Sequence, residues 1–304
     1  MDVAGTGGEG TGSRAGFRPF RIEDPESECE MRKKALIIGI NRYRNINPLR
    51  GCVNDTTNLR LILKQFAGFS NDDIRMLVDE RATKDAIEDR LAWLVKDAEP
   101  GDLLVFHYSG HGSQVRDRGD QDELVDHLDE ILCPWDMDWD GTYIDDDYLH
   151  KALRVPEGVI LEAILDCCNS GDSSVEVGMP PPRGAGNDPP DRAPRFAQPP
   201  ADIVSRHEGD GLSQNKLLER LPANRLAMWS ACADSQTAAD ALIDAVPNGA
   251  FTFYFCKHLR ESQGAITRAE LLARVKASLR EDDFSQVPEL AAPAQFAQKK
   301  AFTA

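Results

Sequence analysis

Residues 159–171 read Val-Ile-Leu-Glu-Ala-Ile-Leu-Asp-Cys-Cys-Asn-Ser-Gly. The run opens apolar and β-prone, then stops at small polar residues and glycine. Such a pattern predicts a strand buried on both faces that delivers Cys167 and Cys168 to the edge of a sheet. Residues 102–113, Asp-Leu-Leu-Val-Phe-His-Tyr-Ser-Gly-His-Gly-Ser, have the same design and end with His111 between two glycines. Chemistry in an open parallel sheet gathers at the carboxyl ends of its strands. Two such ends side by side bring a thiol to an imidazole, a nucleophile with a general base beside it. Side chains alternate along a strand, so only one of Cys167 and Cys168 can face His111.

The rest of the chain supplies a sheet of that kind. Lys33 to Ile40 is another continuous apolar strand, as suits a parallel sheet covered on both faces. Short strands are predicted at Ile74–Val78 and Arg225–Cys232. Helices are predicted at Asp55–Phe66 with Asn54 or Asp55 as cap, and at Thr83–Ala98 with Thr83 as cap. Further helices are expected at Asp147–Leu153, Phe251–Leu259 and Thr267–Leu279, the last opened by a Thr267/Glu270 capping box. Arg116–Asp147 reads as an irregular, acid-crowded loop. Strand and helix alternate, which predicts an α/β fold with a mostly parallel sheet and helices on both faces.

Charge narrows the partners. The 304 residues carry 51 acidic against 35 basic side chains, a net −16. Nucleic-acid binding usually needs a basic face, so this balance argues against it and favours cationic partners, metal ions or basic peptides. The seven cysteines are odd in number, two are adjacent, and most lie in apolar runs. That is not a disulfide framework, and it predicts a reducing, cytoplasmic setting. No run is long enough to span a membrane. A monomer is expected. Residues 1–31 read as a flexible leader, residues 32–177 as the part bearing the histidine and cysteines, residues 178–215 as a mobile Pro/Gly-rich linker, and residues 216–304 as a smaller part of the same domain.

Taken in order, several stretches resemble the metacaspases, caspase-like cysteine peptidases. They are Ala35–Asn41, Leu49–Asp55, Tyr108–Gln114, Asp129–Ile131, Ile144–Asp146, Asp166–Gly171 and Asp234–Asp240. The resemblance implies a caspase-like three-layer α-β-α sandwich. It implies a cysteine endopeptidase that cuts protein or peptide substrates after Arg or Lys. The family pattern, Asp-any-Cys-any-Ser-Gly, puts the nucleophile at Cys168, with His111 as its partner. Asn169 stands where relatives often have His, outside the dyad. By analogy with other acyl-transfer enzymes, the backbone N–H groups of Gly112 and Cys168 form the oxyanion hole.

The same resemblance assigns a pocket for the substrate's basic side chain. Its acids match Asp55 and Asp166, with Cys52 and Ser109 beside them. A buried carboxylate pair is costly until a cation arrives, and Arg supplies one with bidentate geometry. Calcium-dependent metacaspases bind Ca²⁺ through acids that match Asp129, Asp145 and Asp146. A fourth ligand falls near Asp172 or Glu176 at shifted spacing. Read from the residues alone, this loop is a solvated charged run, and Asp55 and Asp166 are a helix cap and a turn residue. The linker holds Arg183, Arg192, Arg195 and Arg206, candidates for self-cleavage. The alternative is a non-catalytic caspase-fold scaffold that binds basic peptides.

Overall fold

The structure, a computed structural model, describes residues 31–116, 128–168, 192–200, 225–233 and 236–303, with residues 1 and 203. Most of the leader, with Cys29, and most of the linker lie outside the described residues. So do Asn169, Asp172, Glu176, Arg183 and Arg206.

Six strands form the central sheet: β1 (Lys33–Gly39), β2 (Ile74–Val78), β3 (Leu103–Ser109), β7 (Ile160–Asp166), β9 (Leu226–Ser230) and β12 (Glu289–Ala291). Their spatial order is β12-β9-β7-β3-β1-β2. All pairings are parallel except that of β12 with β9. β3 and β7 are neighbours in register, Ser109 opposite Asp166, so their carboxyl ends adjoin as the sequence predicts.

Alternation along these strands builds two cores. Ala35, Ile37, Leu103, Val105 and Ile164 face α1 (Cys52–Phe66), α4 (Ala250–Glu261) and α5 (Arg268–Glu281). Leu36, Ile38, Phe106, Leu161 and Leu165 face α2 (Lys84–Val95) and α3 (Asp146–Ala152). The result is three layers with helices on both faces, the expected α/β sandwich. Cys168 belongs to the first core and Cys167 to the second, on opposite faces. A short helix, α6 (Ala294–Ala297), closes the chain.

Several local expectations change. Helix α1 starts at Cys52, not Asp55, and has Gly51 as its cap residue. Asn41 Oδ1 accepts from the N–H groups of Cys52 and Val53, doing a capping side chain's work from outside the helix. Asp55 is thereby spared that role. Asp145 caps α3, accepting from Tyr148 N at 2.6 Å. Thr267 accepts from Glu270 N as expected, but the Glu270 carboxylate turns to Arg274. The acid-crowded stretch is not wholly irregular: its β5 (Leu128–Leu132) and β6 (Ile144–Asp145) join β4 (Gly112–Arg116), just before it, in a small antiparallel sheet. A hairpin of β10 (Ala239–Ile243) and β11 (Val246–Gly249) precedes α4 and carries a third strand, β8 (Arg192–Pro194), on its edge. β8 comes from the expected mobile linker. Its order is tertiary: it pairs antiparallel with β10, Pro194 opposite Ala239.

The six described cysteines are buried, with no disulfide among them. No helix among the described residues is long and apolar enough to cross a membrane.

Candidate active site

His111 sits in the turn between β3 and β4, and its backbone is clamped. Its N–H donates to Tyr43 Oη at 2.7 Å, its carbonyl meets Tyr108 Oη at 2.7 Å, and the Tyr43 ring lies 5.1 Å from its own. The ring's Nε2 is 2.9 Å from the carbonyl of Asn47. A carbonyl only accepts, so Nε2 carries the proton and Nδ1 keeps its lone pair. Nδ1 has no hydrogen-bond partner among the described residues. Burial pushes the imidazole down to about 4, against the pull of the Asn47 and Arg195 backbones, so the ring is neutral at pH 7.

Cys168 follows β7 directly, fully buried. Its Sγ lies 2.7 Å from Ala238 N and 3.4 Å from Ala238 O. Between the ends of β3 and β7 lies a piece of the chain itself. Gly112 N and Cys168 N both donate to the carbonyl oxygen of Arg195, at 3.0 and 3.3 Å. The backbone is held on both sides of that carbonyl. Arg195 N donates to Ala238 O at 3.0 Å, Ala197 N to Gly112 O at 2.9 Å, and Ser113 Oγ to Ala197 O at 2.7 Å.

The Arg195 side chain fills a closed acidic pocket. Nη2 lies 2.8 Å from Asp55 Oδ2 and 3.1 Å from Asp240 Oδ1. Nη1 lies 3.1 Å from Asp166 Oδ1, 3.0 Å from Asp166 O and 2.8 Å from Ser109 Oγ. All four charged side chains are wholly buried. Burial opposes the guanidinium's charge, but Asp166, Asp55 and Asp240, with Cys52, more than offset it and hold Arg195 well above its ordinary range. Burial, and repulsion from Asp166, push the Asp55 carboxyl up despite Arg195. Burial likewise raises the Cys52 thiol at the pocket wall.

Each acid is fixed by other groups. Ser109 Oγ and Gly249 N donate to Asp55, Thr252 N and Oγ1 to Asp166 Oδ2, and Arg50 N and Gly51 N to Asp240. Gly249 also forms a wall: a Cβ there would run into the Asp166 carboxylate and the Arg195 guanidinium. Cys52, Asp55, Ser109 and Asp166, which the metacaspase resemblance assigns to one pocket, stand together around the Arg195 side chain. Asp240, Thr252, Gly249 and Asn47 were not foreseen. Asp240 closes the Asp234–Asp240 stretch, and its carboxylate is the signal there.

The acids expected for calcium stand apart from this pocket. Glu130, Asp145 and Asp146 line one pocket with Ile131, Leu132, Ile144 and Leu149. Asp146 and Glu130 are buried. Carboxylate oxygens in such a recess are the hard donors that suit Ca²⁺. Among the described residues no group of three His, Cys, Asp or Glu is gathered tightly enough to hold an ion. The Asp129 side chain lies outside the described residues.

The comparisons agree with this architecture. A family model described as the metacaspase, peptidase C14 domain matches residues 33–175. Metacaspase-1 of Yarrowia lipolytica is 35% identical over 296 residues, covering 88% of this chain and 62% of that protein. Metacaspase-1 of Meyerozyma guilliermondii is 33% identical over 293 residues, covering 87% of this chain and 70% of that protein. The chain thus spans less than two thirds of the Yarrowia relative's length. Among solved structures, a Geobacter sulfurreducens protein superposes with a TM-score of 0.63 at 21% identity, over 90% of this chain and 99% of that one. Caspase-1 from Spodoptera frugiperda superposes with a TM-score of 0.53 at 13% identity, over 86% of each chain. These two structures bear on the fold alone. At 33% identity over 87% of its length, with the ends of β3 and β7 bearing His111 and Cys168, the chain belongs to the metacaspase family.

Proposed function

We propose that this chain is a cysteine endopeptidase that cuts after Arg or Lys, with Cys168 as nucleophile and His111 as base, and that its first substrate is its own Arg195–Phe196 bond. One observation carries the reading. Arg195 fills a pocket of three carboxylates while its carbonyl accepts from Gly112 N and Cys168 N. Those two N–H groups are where a developing oxyanion needs donors.

The steps follow from the groups present. Nδ1 of His111 takes the Cys168 proton, and Sγ leaves Ala238 to attack the Arg195 carbonyl carbon. The oxyanion is held by the N–H groups of Gly112 and Cys168. The imidazolium returns its proton to the departing Phe196 nitrogen, leaving a thioester between Cys168 and Arg195. Water, deprotonated by the same imidazole, releases the Arg195 carboxylate and restores the thiol. The Asn47 carbonyl orients the ring throughout, the part an acid plays in a triad. Until the linker leaves, Arg195 excludes other substrates from the pocket.

Calcium belongs to the reading as a regulator. Asp129, Asp145 and Asp146 would hold it once drawn together, since no tight group of three acids stands ready among the described residues, and the ion would neutralise the carboxylates it gathers.

Mass spectrometry of the full chain tests the core claim. The expected result is a fragment beginning at Phe196 in the wild type and an intact chain in Cys168→Ala. A wild type that stays intact and turns over no Arg or Lys peptide would sink the reading in favour of a scaffold that binds basic peptides.

A further inference from the structure

Arg195 is not the one arginine of the linker that the fold receives. Three residues earlier, Arg192 lies with its guanidinium carbon 3.7 Å from the centroid of the Phe284 ring. Its Nη1 donates to Asp283 O at 2.6 Å and its Nη2 to Asp282 O at 2.7 Å. The receiving groups form the carboxyl end of α5. Asp282 N, Phe284 N and Asp283 N bond back to Ser278 O, Leu279 O and Arg280 O, and Asp283 takes the left-handed conformation with φ 56°. The carbonyls that end a 14-residue helix carry the negative end of its dipole, so the two that meet Arg192 favour a cation. An aromatic face beneath a planar guanidinium adds a second attraction that distinguishes it from a small or acidic side chain.

This platform is built rather than incidental. The Phe284 ring packs edge-on against Tyr254, and Tyr254 Oη donates to the Asp282 carboxylate. Two residues on, Gln286 is buried and ties the segment to the sheet, accepting from Ala239 N at 2.9 Å and donating to Ala231 O at 2.8 Å. Ala239 lies in β10, the strand on which β8 is laid. The distance between the Arg195 pocket and the Phe284 platform is therefore fixed by the fold. Between them, Ala193 is half-buried and Pro194 is exposed, so the intervening positions are held mainly by backbone.

We propose that Phe284 with the carbonyls of Asp282 and Asp283 is a second subsite for a basic side chain. It reads Arg at the fourth position before the cut, so that the preferred substrate has the form Arg-x-x-Arg. The proposal rests on the reading that residues 192–197 lie as a substrate does. It adds a selectivity that the acidic pocket alone does not have.

The test measures kcat/KM of the full chain on three fluorogenic peptide amides, Arg-Ala-Pro-Arg, Ala-Ala-Pro-Arg and Glu-Ala-Pro-Arg. Wild type should prefer the first over the second by about tenfold, with the third slowest. In Phe284→Ala that ratio should fall to about twofold, and in Phe284→Tyr it should persist. A ratio within one enzyme cancels any general loss from misfolding. Equal rates on the first two peptides in wild type would overturn the subsite while leaving cleavage after Arg intact. Self-cleavage at Arg195 without turnover of any of the three would overturn the subsite alone, and absence of both self-cleavage and turnover would overturn the protease reading with it.

Discussion

Arg195 Nη2 lies 2.8 Å from Asp55 Oδ2 with both side chains fully buried, though the residues are 140 positions apart and one comes from the linker. Neither charge could be buried alone. Removing one partner of such a pair typically costs about 3–5 kcal/mol, because the other remains desolvated. Arg195→Ala, made with Cys168→Ala so that the chain stays intact, should lower stability by about that amount, and Arg195→Lys by less. The deficit should depend on pH. Asp55 is already pushed above the ordinary carboxylate range, so without the guanidinium it takes up a proton in the folded state before the unfolded chain does. Folding then gains as pH falls toward 5, and denaturant titrations at pH 8 and pH 5 should show the larger deficit at pH 8.

The two adjacent cysteines should differ sharply. Cys168→Ala should reduce turnover of Arg peptides by on the order of 10⁴-fold or more, whereas Cys167→Ala should retain most of it. Cys167 lies on the face turned toward α2, away from the Arg195 carbonyl. Comparable activity in the two variants, measured as kcat/KM, would contradict the assignment.

Gly249 offers a test of pocket shape separate from pocket charge. A methyl group there collides with Asp166 and with the arginine side chain that Asp166 holds. Gly249→Ala should therefore lose peptides with Arg or Lys at the cut. Loss of the Asp166 contact by misplacement carries the cost of an unpaired buried charge, about 2–5 kcal/mol in kcat/KM. Full retention of Arg turnover would show that the pocket is elsewhere.

His107 lies fully buried in β3 with neither ring nitrogen bonded among the described residues, and burial pushes it down to about 3 from an ordinary 6.5. Above pH 6.5 both states hold a neutral ring; between 6.5 and 3 the unfolded chain takes the proton and the folded one does not. Stability is thus lost as pH falls through that window. His107→Leu should flatten this acid limb, and at pH 7 should stabilise by about 1–3 kcal/mol through removal of unbonded polar atoms. Thermal unfolding of both proteins from pH 8 to pH 5 measures it.

For calcium, the substitution has to spare a helix cap. Asp145 accepts from Tyr148 N, so Asp145→Ala would cost about 1 kcal/mol whatever it does to an ion. Asn keeps the cap and removes the charge. Asp145→Asn with Asp146→Asn should abolish stimulation of peptide turnover by calcium at about 10⁻⁴–10⁻³ M and leave the unstimulated rate near wild type. Equal wild-type rates in calcium and in chelator would refute the regulatory role.

Much of this site is legible in the sequence because its signals are local. A period of two separates Cys167 from Cys168, and two apolar runs that end at small polar residues and glycine mark strands whose carboxyl ends lie side by side. The pocket's third acid is not legible, since Asp240 meets Arg195 only through the β10–β11 hairpin, which turns at Asp244 and Ala245 without a glycine while the Asn248-Gly249 pair lies in β11. Asp55 looked like a cap because Asp at a helix start usually is one; the fold gives that work to Asn41, eleven residues before Cys52. The position of Arg195 was the least legible. Nothing in a Pro/Gly-rich run distinguishes one arginine from its neighbours until three distant carboxylates converge on it.

The Glu162 carboxylate in β7 accepts from Arg268 Nε, from Phe302 N and from Trp229 Nε1, all in the part that follows the linker. With β9 hydrogen-bonded beside β7, the two parts share one sheet and one buried ion pair. A chain cut after Arg195, as proposed, should therefore give two bands on a denaturing gel but one particle in native sizing, held by the shared sheet and that ion pair.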